Sequence, residues 1–147
     1  GMTLGAFTGY FRKRQSLKNI THPYDDYKAH IVLGVIYDTV PDIDERKTYT
    51  LDQLSEIVSV IKNFQFFVQE KWQIAIDRPG SGNTKNIGSV SNIEDLVNGN
   101  GTFAELGEDI FNDYWMYYLT ADMAKKAELP KPYYSNLDEY KQFKHME

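Results

Sequence analysis

The sequence predicts a mixed α/β (α+β) fold in which a short mixed sheet is backed by C-terminal helices. Residues 31–37 form a nearly continuous apolar run, which is typical of a strand buried on both faces. With 147 residues, of which 41% are apolar, the chain is long enough for one core, and we expect a single domain over residues 1–147. Further along, apolar side chains at helical spacing predict a buried helix face: Ile110, Phe111, Tyr114, Trp115 and Tyr118.

Three further segments are predicted in the first half of the chain. Residues 2–11 have the pattern of a short strand interrupted by glycines. Residues 64–76, rich in aromatic and branched side chains, predict a hairpin or one long bent strand. Thr50 and Gln53 form a capping-box signal for a helix. The apolar residues that would share one face of that helix are Leu51, Leu54, Ile57, Val58 and Ile61.

The last third of the chain is predicted to be helical. Ser91 with Glu94 indicates a capped short helix that Gly99 closes. Thr102 with Glu105 indicates the start of the next helix. Two prolines, Pro130 and Pro132, then interrupt the chain, and residues 135–143 are predicted to form a final short helix.

Composition excludes several classes of protein. The sequence has no cysteine, which rules out a disulfide framework and a thiolate zinc site and fits a reducing compartment. It shows no apolar run of about 18–20 residues that could span a membrane and no charged-then-apolar signal pattern. We therefore expect a cytoplasmic protein without a membrane partner.

Charge is unevenly distributed along the chain. The net charge is −5, which by itself argues against nucleic acid. Residues 1–30, however, carry +3, whereas residues 91–147 carry −6. A basic cluster near the start of the chain would suit a phosphate backbone, and a solvated surface patch is the alternative interpretation. Its members are Arg12, Lys13, Arg14 and Lys18.

Residues 78–89, Arg-Pro-Gly-Ser-Gly-Asn-Thr-Lys-Asn-Ile-Gly-Ser, form a polar stretch without apolar periodicity. Its glycines leave the backbone free to approach another molecule closely. Asn can read adenine by two hydrogen bonds, and Thr can contact the thymine methyl group. A phosphate-binding P-loop is excluded, because Lys85 follows Thr84 and precedes Asn86. The stretch is interpreted as a recognition loop, with an ordinary surface turn as the alternative.

Several blocks of the sequence, in order, resemble the C-terminal part of type II restriction endonucleases of the EcoRV kind. The resemblance covers nearly the whole chain and is densest around residues 80–89. The blocks are Thr3-Leu4-Gly5, Phe7-Thr8, Lys18-Asn19-Ile20, His22-Pro23-Tyr24-Asp25, Tyr27, Ala29-His30, Gly34, Tyr37, Lys47-Thr48-Tyr49, Val68-Gln69, Lys71-Trp72, Ile74-Ala75, Gly80-Ser81-Gly82-Asn83-Thr84, Asn86-Ile87-Gly88-Ser89, Phe111, Asp113-Tyr114-Trp115, Asn136 and Glu139-Tyr140.

The resemblance implies a loop that enters the major groove of a short A/T-containing palindrome. In the family, the positions that match Gly80, Gly82, Asn83 and Thr84 supply the base contacts. The positions that match Thr8 and Lys18 lie near the phosphate backbone. Lys85 replaces a neutral residue of the family and could add a phosphate contact. The full set of expected base-contacting residues is Gly80, Ser81, Gly82, Asn83, Thr84 and Asn86, and the expected phosphate-contacting residues are Thr8, Arg12, Lys18 and Lys85.

Enzymes of this kind hydrolyse a phosphodiester with Mg²⁺ held by the carboxylates of a PD…(D/E)xK motif. In the family that motif lies upstream of the first matching block, so we expect this chain to hold no metal and no catalytic residue. Asp42 and Glu45 spell part of the motif, but two residues separate them in one polar turn. Glu139 and Lys141 fit its second part without a preceding Pro-Asp, and a helical i,i+2 pair does not share a face.

Two other groups of residues are also poor candidates for a metal site. Glu70 and Lys71 are adjacent and would lie on opposite faces of a strand. The histidines lack metal-ligand spacing, and His30 is expected to be a satisfied core residue. The three histidines are His22, His30 and His145.

The sequence therefore suggests a truncated or degenerate restriction endonuclease homologue that keeps the DNA-reading loop and does not cut DNA alone. A second hypothesis is a subunit that complements a separate catalytic chain to give an active endonuclease. A third is a relic fold without a DNA function. Double-stranded DNA is the expected partner, bound weakly or not at all. A homodimer is a further expectation, since the family pairs two loops on a two-fold site.

Overall fold

The structure, a computed structural model, describes residues 1–8, 10–13, 22–81 and 85–146. Its mixed α/β class agrees with the sequence-based prediction. The strands are β1 (Thr3–Ala6), β2 (Ile31–Thr39), β3 (Ile61–Glu70), β4 (Ala75–Pro79) and β5 (Asn86–Ser89). The helices are α1 (Tyr10–Lys13), α2 (Lys71–Ile74), α3 (Ile93–Asn98), α4 (Glu108–Tyr117), α5 (Ala121–Lys126) and α6 (Leu137–Phe143), with 3-10 helices at Tyr24–Asp26 and Leu51–Glu56.

The strands form two antiparallel sheets, where one short mixed sheet was expected. The first has the order β1-β5-β4, so β5 lies in the middle. Thr3 is opposite Gly88 in one pairing, and Ala75 is opposite Ser89 in the other. The buried Ser89 hydroxyl is satisfied by Met2, accepting from its backbone nitrogen at 2.8 Å and donating to its carbonyl at 2.9 Å. This sheet carries the stretch around residue 80.

The second sheet is a two-stranded ribbon of β2 and β3. The predicted strand at residues 31–37 is confirmed, but the expectation that both of its faces are buried is wrong. Within β2, Gly34 alone is buried, and a side chain there would overlap the ring of Phe67. Val32 and Ile36 also pack against the core. Because successive side chains alternate between faces, the other side of the ribbon points away from the core.

The segment after Thr50 is less helical than predicted. Its capping box is present, and the Thr50 amide donates to Gln53 Oε1 at 3.1 Å. The helix that follows is a 3-10 helix that ends at Glu56, because such helices rarely extend far. The prediction of one helical face reaching Ile61 is wrong, since Ile61 begins β3 and pairs with Thr39. The intervening apolar residues Leu51, Leu54, Ile57 and Val58 lie exposed.

Residues 64–76 form neither a hairpin nor a single bent strand. The single helical turn α2 separates β3 from β4, and these two strands belong to different sheets. The Glu70 amide donates to Gln73 Oε1 at 3.1 Å and so caps that turn. The capping glutamine stops the strand and redirects the chain from the ribbon into the three-stranded sheet.

The C-terminal helices largely follow the prediction, with shifted starts. Helix α3 is capped by Asn92 rather than Ser91, since Asn92 Oδ1 accepts from the Glu94 amide at 2.8 Å. Gly99 closes that helix with φ 71°. Helix α4 does not begin near Thr102. The buried Phe103 lies in a turn over residues 102–106, and the helix starts only at Glu108.

The predicted stripe of α4 lies in an aromatic core. Tyr114 and Trp115 are 0% exposed, and Tyr134 and Tyr140 are each 1% exposed. The ring of Tyr114 lies 5.0 Å from that of Tyr134 and 5.3 Å from that of Tyr140, in tilted and edge-on arrangements typical of aromatic clusters. Burial raises the pKa of the Tyr114 phenol far above its usual value. The phenol is therefore a hydrogen-bond donor in the folded protein.

Candidate nucleic-acid interface

The stretch predicted to be a recognition loop emerges from a narrow stem. Strands β4 and β5 pair antiparallel, with Pro79 opposite Ile87. Beyond that pair the Gly80 amide donates to the Asn86 carbonyl at 3.0 Å. The chain is thus held by its own backbone on both sides of residues 81–85.

Strand β1 closes the other side of the stem. It pairs with β5, and the Phe7 amide then donates to the Lys85 carbonyl at 2.9 Å. The three strands leave little room for a side chain at two positions. A Cβ at Gly80 would lie 2.7 Å from Thr3 Cγ2, and a Cβ at Gly88 would lie 2.7 Å from the Arg78 carbonyl. Backbone therefore excludes a side chain at Gly88, whereas at Gly80 the close neighbour is the Thr3 methyl group.

The base of the stem is attached to the core through Asp77. The Tyr114 hydroxyl donates to the Asp77 carbonyl at 2.5 Å. The amide of Leu137, the first residue of α6, donates to Asp77 Oδ2 at 2.9 Å. Two C-terminal helices therefore fix the strand that leads into the loop.

Three of the expected base-contacting residues are described. Gly80 and Ser81 are exposed where the stem opens, and Asn86 is half-buried at the start of β5. The Gly80–Asn86 hydrogen bond brings the two ends of the set together. The other three, Gly82, Asn83 and Thr84, lie outside the described residues, so their assignment stays a prediction.

The expected phosphate-contacting residues divide into two groups. Lys85 is exposed, and Thr8 is half-buried beside it, directly after the Phe7 amide that binds the Lys85 carbonyl. Lys18 lies outside the described residues. Arg12 is half-buried, and a phosphate contact by Arg12 stays a prediction.

The guanidinium of Arg12 has a structural role. Its Nε and Nη2 atoms donate to the Trp115 carbonyl at 3.3 and 3.2 Å, and Nη2 also donates to the Tyr118 carbonyl. The guanidinium carbon lies 5.1 Å from the centre of the Phe7 ring. Burial lowers the pKa of Arg12. The side chain satisfies carbonyls at the C-terminal end of α4, where a cation is favoured.

Arg78 is a candidate that the sequence interpretation left unassigned. It is exposed in β4, immediately before the residues that open the loop. Asp77, its neighbour, is half-buried and faces the helices. Alternation along a strand could have identified Arg78 as the outward-facing cation.

A second cation, Lys71, is half-buried beside aromatic rings. Its ammonium lies 5.2 Å from the centre of the Tyr24 ring and 5.7 Å from that of Phe11. Burial lowers its pKa to about 8. The expectation that Glu70 and Lys71 lie on opposite faces of one strand is wrong, because β3 ends at Glu70 and α2 begins at Lys71.

His30 lies beside Lys71 and differs from the satisfied core residue that was expected. Its ring stacks on Tyr24 with centroids 4.0 Å apart. Its Nε2 atom is buried, and none of the described residues hydrogen-bonds to it. Desolvation, with a smaller contribution from the Lys71 charge, lowers the pKa of His30. The stacking on Tyr24 offsets part of that cost.

The acidic residues considered as metal ligands are exposed or take part in helix capping. Asp42 and Glu45 are exposed in the turn after β2. Glu139 Oε2 accepts from the Ser135 amide at 2.8 Å and so caps the region before α6. Within residues 1–8, 10–13, 22–81 and 85–146, no three His, Cys, Asp or Glu side chains lie close enough to hold a metal ion. We therefore assign no step to Mg²⁺.

Comparison with known proteins identifies the family. Residues 1–145 match the family model described as restriction endonuclease EcoRV. The chain is 40% identical over 141 residues to the type II restriction enzyme EcoRV of Escherichia coli, a match that covers 95% of this chain and 54% of that enzyme. The chain thus spans about half the length of this curated relative. No helix in the described part of the chain is long and apolar enough to cross a membrane. The chain belongs to the EcoRV restriction endonuclease family.

Proposed function

We propose that this chain reads the sequence of double-stranded DNA through residues 80–86, inserted into the major groove. The observation that carries the proposal is the backbone-closed stem. Main-chain hydrogen bonds at Gly80 and at Lys85 hold both ends of the loop, which supports its presentation to a partner. The family match supports DNA as the partner, since the matched relative is by its name a restriction enzyme.

Asn83 and Thr84 are the proposed sources of base discrimination. An Asn amide can donate to N7 and accept from N6 of adenine, and a Thr methyl can pack on the thymine methyl. The exposed Gly80 and Ser81 would let the backbone approach the groove floor. Each lost bidentate contact should reduce the discrimination between bases by about 1–3 kcal/mol.

We propose that the affinity for DNA comes from two exposed cationic side chains beside the stem rather than from the net charge of the chain. Lys85 and Arg78 are exposed beside the stem, whereas the net charge of the chain is −5. Phosphate contacts release counterions, so binding should be weak and strongly dependent on salt.

We propose further that this chain does not hydrolyse DNA by itself. The acidic residues that resemble the PD…(D/E)xK motif, Asp42, Glu45 and Glu139, lie in exposed turns or cap a helix. Purified chain incubated with palindromic duplexes and Mg²⁺ should leave them intact. Specific Mg²⁺-dependent cleavage by the pure chain would contradict this proposal. It would not contradict the proposal that the loop recognises DNA sequence.

Fluorescence anisotropy of labelled duplexes tests the reading function. An A/T-containing palindrome should bind more tightly than a scrambled duplex at low salt, and Asn83→Ala should remove the difference. Asn98→Ala is the matched control, because Asn98 is exposed at the end of α3, outside the stem. Equal binding of all duplexes by the parent chain would exclude sequence reading.

A further inference from the structure

His30 lies at the end of a column of aromatic rings that joins separate parts of the chain. Its ring stacks on Tyr24, with centroids 4.0 Å apart and planes inclined by 12°. The Tyr24 ring lies 4.6 Å from that of Phe11 in α1, and the Phe11 ring lies 6.3 Å from that of Phe111 in α4. The stack therefore connects the 3-10 helix Tyr24–Asp26 and the start of β2 to the core.

The hydrogen bonds of the His30 ring fit its neutral form. The main chain of Tyr24 accepts a hydrogen bond from the ring, and Nε2 is buried without a partner among the described residues. The donor is therefore Nδ1. In a neutral imidazole one nitrogen donates and the other accepts, so Nε2 carries no proton. Protonation would create a cationic N–H donor at a buried position that offers it no acceptor, which is costly.

The charge of Lys71 also opposes protonation of the ring. Desolvation lowers the pKa of His30, and the Lys71 ammonium, 5.2 Å from the centre of the Tyr24 ring, lowers it further. Glu108, at the start of α4, responds to pH in the opposite direction. Desolvation and neighbouring carboxylates raise its pKa, so its protonation in acid favours the folded state. Further titratable side chains line an open cavity of about 190 Å³ that His30 and Glu108 share, namely Asp25, Tyr27 and Lys28.

We propose that the Tyr24–His30 stack is an acid-sensitive contact, which holds residues 22–30 against the core while the His30 ring is neutral and releases them when it is protonated. The charged ring would lie beside the Lys71 ammonium with an unpaired N–H in the same enclosed site. Outward movement of the segment gives the ring access to water, whereas α4 keeps its own aromatic contacts. The segment is tied to the ribbon at its end, where the Lys71 amide donates to the His30 carbonyl at 2.8 Å. Release is therefore a local opening, and it does not depend on DNA binding.

The direction of the pH dependence follows from the ordinary histidine pKa of 6.5. In the closed form the pKa of His30 lies below this value, so the open form binds more protons. The equilibrium between closed and open forms should be constant above about pH 7. Below pH 6.5 it should shift towards the open form by up to about tenfold per pH unit, until the pH reaches the pKa of the closed form.

Hydrogen exchange of residues 22–30, measured by mass spectrometry and corrected for the intrinsic effect of pH, tests this release. In the parent chain the protection of the segment should fall about five- to tenfold between pH 7.5 and 5.5. His30→Phe keeps a stacking ring that cannot be protonated, and its protection should not depend on pH. His145→Gln is the matched control, because His145 is exposed after α6, and it should behave like the parent.

Two further measurements address the titrating group itself. Lys71→Met removes the neighbouring charge and should move the loss of protection to higher pH. An NMR titration of the His30 Cε1 proton needs no substitution at His30, and it should give a pKa below 6.5 in the parent chain even if His30→Phe does not fold.

Three results would overturn the proposal. The first is a pKa of His30 at or above 6.5, or protection of the parent segment that does not change with pH. The second is an equal loss of protection in α4, which would indicate unfolding of the whole chain. The third is increased protection in acid, as expected if the protonated Nε2 donated to Asn112 Oδ1, which is also buried without a partner among the described residues.

Discussion

The hydroxyl of Tyr114 donates a 2.5 Å hydrogen bond to the main-chain carbonyl of Asp77. One end of this bond lies in the centre of the aromatic core, and the other lies in the strand that enters the proposed recognition loop. The position of the loop is therefore coupled to the packing of α4, although α4 itself supplies no expected DNA contact.

Tyr114→Phe should destabilise the protein by about 1–2 kcal/mol, because the ring is kept while the Asp77 carbonyl loses its partner. Urea unfolding measures the free energy. Tyr117→Phe is the control on the same helix, since Tyr117 is exposed, and it should change the stability by less than about 0.5 kcal/mol. Equal effects of the two substitutions would show that the Tyr114 hydroxyl contributes nothing specific.

Lys71→Met should stabilise the folded chain at neutral pH. The ordinary pKa of lysine is 10.5, and burial lowers that of Lys71 to about 8. Between these values the unfolded chain binds more protons than the folded one, so the stability of the parent rises with pH through this window. Below about pH 8 the whole desolvation penalty is present. The contacts with the Phe11 and Tyr24 rings offset part of this penalty. We therefore expect the free energy of unfolding to rise by roughly 1–3 kcal/mol in Lys71→Met.

The measurement is urea unfolding of parent and Lys71→Met at pH 7.5 and 9.5. Tyrosines of the unfolded chain begin to ionise near the upper pH, but they do so in both proteins and cancel in the difference. The advantage of the variant should shrink as pH rises. Lys126→Met is the control, because Lys126 lies on the surface in an i,i+4 ion pair with Asp122, and its difference from the parent should stay constant. A pH-independent advantage of Lys71→Met would show that Lys71 is not the titrating group.

Gly88→Ala should damage DNA reading without removing any DNA contact. The added Cβ would lie 2.7 Å from the Arg78 carbonyl and 2.9 Å from Ile76 Cδ1, so β4 and β5 must separate. Overpacking of this kind costs about 1–3 kcal/mol. Anisotropy should show a loss of preference for the palindrome. Leu96→Ala, a buried change in α3, should cost at least as much stability and keep the preference. Retained discrimination in folded Gly88→Ala would argue against the stem as the positioning element.

Lys85→Ala and Arg78→Ala should each reduce the dependence of DNA binding on salt. One phosphate contact contributes roughly one unit to the slope of log affinity against log salt concentration. Both side chains are exposed beside the stem, whereas Lys126, paired with Asp122 on α5, should have no effect when replaced by Ala. Unchanged slopes in both variants would place the phosphate contacts elsewhere.

Hydrophobic periodicity correctly predicted elements whose burial follows from the spacing of their own apolar residues. The α4 stripe at Phe111, Tyr114 and Trp115 is buried as expected, because one helix face can meet the core in only one way. The capping box predicted at Thr50 is also confirmed, but a capping signal does not predict where the helix ends, which is at Glu56. The predicted face could not reach Ile61, because that residue belongs to β3.

Other features depend on partners that are distant in sequence. The apolar run of β2 indicates a strand, yet it cannot tell whether one or two layers cover it, and its outer side is exposed. Lys71 is a polar residue in the sequence, and its ammonium is shielded from water because it lies over the rings of Phe11 and Tyr24. Arg12 looked like part of a basic surface cluster, but the carbonyls it binds lie more than a hundred residues away.

The stem has a consequence for how such a protein could change its target. Its closure relies on main-chain bonds between Gly80 and Asn86 and between Phe7 and Lys85, and these bonds do not depend on which side chains lie in between. Substitutions at residues 82–84 should therefore leave the main-chain hydrogen bonds at the base of the loop intact. Preference for a new DNA sequence could then evolve, or be engineered, by exchanging three neighbouring codons while the rest of the gene stays the same.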